Sequence, residues 1–259
     1  MRSFIFSGII CLLIASGSGN AQAPDMSGEE ILRWAADSRD ESDLDAAAAY
    51  LEKAAKTRPA DAAAFYNLGT AYFYIGKYEN AKRALMNATR IDPASGKAFN
   101  QLGVVQTELK DYAGAQRSLE TSIRLDPADL PRKINLGYLF IRMGKFDTAI
   151  DLLERAKIQL PDQAEIRFNL AYAYGRKKDF RLAIAEAEAA LRIDPGDDQS
   201  RLMLVTFQVA CGDRHAALDQ YRTALAANPT LGHQIYDIIY AKWLVAAPPS
   251  RPAPDGNRP

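Results

Sequence analysis

Apolar positions along the chain form short helical stripes separated by regular breaks. In residues 62–95, Phe65, Leu68, Gly69 and Tyr72 stand at i, i+3, i+4 and i+7, one face of a first helix. Ala81, Leu85 and Ala88 mark a second helix, which Pro93 ends, because proline disfavours helical conformation in the residue before it. Gly76-Lys77-Tyr78 is the turn between them, echoed by Lys110-Asp111-Tyr112, Gly144-Lys145-Phe146, Lys178-Asp179-Phe180 and Gly212-Asp213-Arg214. Small residues where the two helices cross let their backbones approach, and the aromatic after the turn wedges the pair together.

The breaks keep a fixed period. Pro59, Pro93, Pro127, Pro161, Pro195 and Pro229 follow one another at 34 residues. Alanine keeps the same step at Ala47, Ala81, Ala115, Ala149, Ala183 and Ala217, and leucine at Leu68, Leu102, Leu136, Leu170 and Leu204, with Trp34 in the first slot. Gly69, Gly103 and Gly137 give way to Ala171 and Val205. Such a period means one supersecondary unit repeated, each burying its apolar face against the next. Six units tile residues 28–231 without insertion: 28–61, 62–95, 96–129, 130–163, 164–197 and 198–231. Residues 232–246 read as a further first helix standing alone, and the proline-rich residues 247–259 as a disordered tail.

These residues closely resemble the tetratricopeptide repeat family, whose pattern is a large apolar residue, Leu-Gly, Tyr, Ala, Phe or Leu, Ala and Pro at fixed places in a 34-residue unit. Units two to four match it best. The fifth departs at Ala171 and Ala187, the sixth at Val205 and Arg214, and the first has a polar first helix around Asp37, Ser38, Arg39 and Asp40. Degenerate end units suit repeats that face water on one side. The resemblance implies an all-α fold: a right-handed α-solenoid of stacked helix-turn-helix repeats, with residues 232–246 as its capping helix. It also implies that the first helices line a concave face that binds another protein or a peptide.

On that face, the slot two residues before the consensus glycine holds Asn67, Gln101, Asn135 and Asn169. A side-chain amide offers a donor and an acceptor, so a ladder of amides can pair with the backbone of an extended segment whatever its side chains. Tyr66, Tyr138, Phe168 and Tyr172 in neighbouring slots would supply aromatic contact area. Some family members grip a C-terminal carboxylate with Lys and Asn on three successive first helices. Lys97 and Asn100 are present, but Tyr66, Thr70 and Asn135 stand where the other clamp groups would be, so that mode is not expected. In the last helix, Ile235, Ile238 and Ile239 form a core stripe, and Tyr236, Tyr240 and Trp243 a second stripe at i, i+4 and i+7. The second stripe is a candidate interface, for a partner or for a second copy in a homodimer.

Composition narrows the function further. The chain of 259 residues balances 32 basic against 32 acidic groups, so no whole-molecule field gathers nucleic acid or an anionic membrane. His215 and His233 have no ligand partner at helical spacing, so no metal site is expected. No phosphate-binding, nucleophile-elbow or dinucleotide motif occurs, so neither a cofactor nor catalysis is expected. Glu186 and Glu188 point in different directions on a helix and make no acid/base pair. Arg176-Lys177-Lys178 reads as a soluble inter-helix turn.

The N-terminus reads as a signal peptide. Arg2 precedes an apolar run from Phe4 to Ala15, then a small-residue segment through Ala23. Twelve apolar residues are short of the ~20 that span a bilayer. Cleavage after Ala21 keeps Pro24 away from the scissile bond, leaving residues 22–27 as a short lead. Cys11 sits in the apolar run without a lipobox, so the mature chain would keep only Cys211, expected as a buried small hydrophobe. The sequence thus predicts an exported, periplasmic or secreted, non-catalytic scaffold of the cell envelope, or alternatively a self-associating assembly protein.

Overall fold

The computed structural model describes residues 41–246, and the side chains of residues 45–240. The expected signal peptide (1–21), the lead (22–27), the first helix of unit one, the tail (247–259) and the Trp243 side chain lie outside the described residues. Those described form twelve helices and no strand. They are α1 (Glu41–Thr57), α2 (Ala62–Tyr74), α3 (Tyr78–Ile91), α4 (Gly96–Glu108), α5 (Tyr112–Leu125) and α6 (Leu130–Arg142). Then come α7 (Phe146–Gln159), α8 (Ala164–Arg176), α9 (Phe180–Ile193), α10 (Asp198–Cys211), α11 (Arg214–Ala227) and α12 (Pro229–Ala246). The fold is an all-α repeat array. It divides into two compact units, Met1–Met143 and Gly144–Pro259.

The repeated residues do the same task in each helix pair. Ala81, Ala115, Ala149, Ala183 and Ala217 are each 0% exposed, at the slot where a second helix crosses its first. A methyl is all that the crossing admits. Opposite it, a Cβ built on Gly69 would stand 2.5 Å from Leu85 Cγ, and one on Gly103 2.5 Å from Leu119 Cγ. In the first unit Ala81, Leu85, Leu102 and Val105 close one layer, and Ala115, Leu119 and Leu139 the next. In the second unit Ala171, Ala183, Ala187, Leu204 and Phe207 form one layer, and Val205, Ala217, Ala224, Leu231, Ile235 and Ile239 the last. Each fully buried Leu stabilises by roughly 1.5–3 kcal/mol relative to an exposed one.

Polar residues set the helix ends. Asp61, Ser95, Asp111, Asp197 and Asp213 each accept a backbone N–H from the first turn of the following helix. In every described turn between a first and a second helix one residue is left-handed: Gly76, Lys110, Gly144, Lys178 and Gly212, at φ 73°, 61°, 74°, 67° and 87°. Arg176 is the last residue of α8 rather than part of its turn.

The final helix begins at Pro229, earlier than the start at 232 that the sequence suggests. The five earlier prolines of the 34-residue series follow a helix end, but Pro229 opens a helix, where its missing N–H costs nothing. Asn228 makes this possible. It closes α11 through its own N–H to Ala224 O, while its side-chain oxygen accepts from Thr230 N at 3.1 Å and Leu231 N at 3.3 Å.

Candidate binding face

Within the first unit the first helices α2, α4 and α6 lie side by side, each touching the next. Side chains tie them laterally. Lys97 Nζ of α4 sits over the Tyr66 ring of α2, 4.9 Å from its centroid. Asn135 Nδ2 of α6 donates to Asn100 Oδ1 of α4 at 2.9 Å. At the C-terminal ends of the same two helices, Tyr138 OH donates to Glu108 Oε1 at 3.0 Å, and Arg142 reaches both Glu108 oxygens at 3.0 Å. Arg142 also donates to Tyr138 OH at 2.6 Å. Burial alone would loosen the Arg142 proton, but the Glu108 carboxylate and the Tyr138 hydroxyl hold it more firmly than usual. Burial together with Glu108 pushes the Tyr138 phenol up. The result is a face of aromatic rings, amides and one fixed ion pair.

The amide ladder is not evenly presented on this surface. Asn67 is 9% exposed and Asn169 only 4%, so both are largely buried. Gln101 and Asn135 are half-buried, and Asn135 has one donor committed to Asn100. The recurring amides therefore belong partly to the packing between repeats. Tyr66, Tyr138, Phe168 and Tyr172 are half-buried.

In the second unit Arg176 Nη1 donates to Tyr172 OH at 2.9 Å. Its guanidinium stands 5.7 Å from the Tyr172 ring centroid and 5.1 Å from that of Phe146. Tyr172 and Arg176 repeat, one period on, the pairing of Tyr138 with Arg142. That signal was present in the sequence as Tyr-x-x-x-Arg at i, i+4, where two side chains share a helix face. Lys177, in the same basic run, pairs with Asp147 across the repeat. Arg176-Lys177-Lys178 is thus an aromatic cap, an ion pair and a left-handed turn residue, not a merely solvated turn.

At the C-terminal end Tyr236 and Tyr240 are 46% and 38% exposed. Their rings stack at 4.3 Å between centroids, and Tyr221 of α11 stands 6.0 Å from Tyr236. Ile235 and Ile239 turn inward and are buried, and Ile238 packs against the same cluster. Cys211 is exposed, contrary to the buried role expected, because it ends α10 beside Gly212, away from the helix crossing. His215 lies 3.3 Å from Asp219 on the surface. Among the described residues no three His, Cys, Asp or Glu side chains gather as metal ligands, and no helix is long and apolar enough to cross a membrane.

Family models described as tetratricopeptide repeat match residues 38–102, 96–129 and 134–198. No curated protein matches the sequence significantly. Among solved structures, PilW, described as a widely conserved type IV pilus biogenesis factor, is similar with a TM-score of 0.70 and 18% identity, over 82% of this chain and 98% of that one. A thermophilic tetratricopeptide repeat protein of Thermus thermophilus gives a TM-score of 0.60 at 23% identity, over 71% of this chain and all of its own 100%. MamA of Desulfovibrio magneticus gives 0.56 at 20% identity, over 65% of this chain and 96% of that one. At these identities the likeness is one of fold.

Proposed function

From a chain that belongs to the tetratricopeptide repeat family, we propose a non-catalytic scaffold that binds a protein or an extended peptide segment on the face formed by its first helices. The observation that supports this is the lateral tying of α2, α4 and α6 by the Tyr66–Lys97, Asn100–Asn135 and Glu108–Tyr138–Arg142 contacts. Rings and amides held in place before a partner arrives lose little conformational freedom on binding, so more of each contact appears as affinity. Gln101, half-buried and beside Asn100, can serve an incoming backbone as both donor and acceptor. Phe168 and Tyr172 offer equivalent ring surface in the second unit.

We further propose that the chain acts in the cell envelope after export. Arg2, the Phe4–Ala15 apolar run and the small residues up to Ala23 support this reading.

The test is a photo-crosslinking residue placed in living cells at Lys97 or Gln101, with Met86 of α3, 52% exposed on the second-helix side, as control. The expected outcome is one discrete adduct from positions 97 and 101 and none from 86. Equal adducts from all three positions, or none from 97 and 101, overturn the proposal.

A further inference from the structure

Two tyrosine–arginine pairs stand one repeat apart, Tyr138 with Arg142 on α6 and Tyr172 with Arg176 on α8. The first closes on a carboxylate. Tyr138 OH donates to Glu108 Oε1 at 3.0 Å, Arg142 Nη1 lies 3.0 Å from both Glu108 oxygens, and all three side chains are half-buried. The second makes the same internal bond, Arg176 Nη1 to Tyr172 OH at 2.9 Å. Among the described residues, however, no carboxylate lies within ion-pair distance of Arg176. We propose that Tyr172 and Arg176 form a receptor for the side-chain carboxylate of an acidic residue in the bound segment, in the manner in which Tyr138 and Arg142 hold Glu108. This rests on the first-helix face being the binding surface, and names the chemistry that the surface selects.

Arg176 is exposed yet held in place. Its guanidinium stands 5.1 Å from the Phe146 ring centroid and 5.7 Å from that of Tyr172, inside the ~6 Å over which a ring face attracts a cation. An exposed cation on a mobile stem contributes little to an ion pair, because ordering the stem cancels much of the gain. The two rings have already ordered this one, so a carboxylate that meets it keeps more of the attraction as affinity. Donors remain for it. Arginine carries its N–H groups in a fork that matches a carboxylate, and here Nη1 alone is committed, to the phenol. The Tyr172 oxygen accepts that bond, which leaves its own O–H to donate outward, as the O–H of Tyr138 donates to Glu108. The acid next to Phe146 is already taken, since Asp147 pairs with Lys177. Phe168, half-buried and four residues before Tyr172 on the same side of α8, adds an apolar neighbour. The segment that fits carries an acidic residue close to an apolar one.

The test uses the full chain and a phage-displayed library of random peptides fused through their C-termini, so that every carboxylate on offer is a side chain. Selection on wild type should enrich peptides with Asp or Glu close to an apolar residue. One enriched peptide, synthesised with an amidated C-terminus, is then titrated by calorimetry. Arg176→Gln in the protein, or replacement of the peptide's acid by its amide, should each weaken binding about tenfold, the worth of one bond to a charged group. The two changes together should cost little more than either alone. Arg181→Gln, which removes an equal exposed charge on α9, should change affinity by no more than about twofold. Should Arg176→Gln fail to fold, Tyr172→Phe keeps the ring, removes the phenol O–H and completes the same cycle with the amide peptide. Equal losses for Arg176→Gln and Arg181→Gln mean general charge attraction and overturn the proposal. Peptides that bind wild type and Arg176→Gln alike, yet are weakened by Phe168→Ala, overturn the carboxylate receptor while the binding face stands. A selection that enriches no peptide overturns both readings.

Discussion

Lys110 and Lys178 occupy a conformation that suits glycine. Their φ values of 61° and 67° fall in the left-handed region, at the turn slot where the neighbouring repeats carry Gly76, Gly144 and Gly212. A side chain with a Cβ pays about 1–2 kcal/mol there, so Lys110→Gly and Lys178→Gly should each raise stability by roughly 0.5–1 kcal/mol after the unfolded-state entropy of glycine is counted. Urea unfolding of the two variants checks this, and a lower midpoint in both would contradict it. The slot was legible in the sequence as a turn because its neighbours Asp111, Asp179, Tyr112 and Phe180 keep the period. The side chains of the binding face were less legible. Asn67 and Asn169 occupy the same slot as the half-buried Gln101, yet they are 9% and 4% exposed. Exposure beside a packing stripe depends on which long side chains of the next helix lie across it, and a period of residue types does not carry that. Asn135→Ala accordingly removes an inter-repeat bond to Asn100 as well as a possible ligand contact. Its effect on stability, about 0.5–1.5 kcal/mol, should be measured before its effect on binding is read.

At the scale of elements, the crossing of paired helices fixes what each slot accepts. Gly103 has no room for a methyl: its Cβ would meet Leu119 Cγ at 2.5 Å and Ala115 O at 3.2 Å, a carbonyl on the backbone of α5. Gly103→Ala should therefore push α4 from α5 and cost about 1–3 kcal/mol, the usual range for overpacking. A calorimetric midpoint unchanged from wild type would show that the pair yields freely. A different force joins α7, α8 and α9. Lys157 pairs with Glu154 and Glu186, Arg167 with Glu186, and Tyr174 OH donates to Glu154 Oε1 at 3.0 Å. The equivalent contact three repeats earlier is Tyr72 OH to Glu52 Oε2 at 3.2 Å. Burial first, then Glu154, pushes the Tyr174 phenol up to about 12. Because that lies above the ordinary tyrosine value near ~10, the contact contributes fully below pH ~10 and is lost as pH rises through about 12. Absorbance titration should show a late tyrosine step to which Tyr174 contributes beside Tyr72 and Tyr138, and Tyr174→Phe should reduce its amplitude by one tyrosine. Helix pairs and their crossings were legible from period alone, since alanine, leucine and glycine recur wherever two backbones meet. The tyrosine–glutamate ties were not, because they join residues whose own spacing carries no stripe.

On the scale of the whole molecule, helices within each unit pack on the next helix or the next but one in sequence. Such local contacts are why a linear period suffices to declare the fold, whereas residues outside the period, at the two termini, had to be read by composition. The two cysteines bring that reading to a measurement. Cys11 lies inside the apolar run from Phe4 to Ala15, and Cys211 is exposed at the end of α10. An exposed thiol reacts with a colorimetric disulfide reagent without unfolding. If the leader is removed after Ala21 or Ala23, the protein recovered from the envelope fraction carries Cys211 alone. Denaturant should then reveal no thiol beyond the one that reacts in the native state, and intact mass should place the first residue between 22 and 24. A Cys211→Ser variant of the same preparation should titrate none. Retention of Met1 together with a second thiol that appears only in denaturant would mean that the apolar run stays attached, and the export reading would have to be replaced by an uncleaved N-terminal anchor.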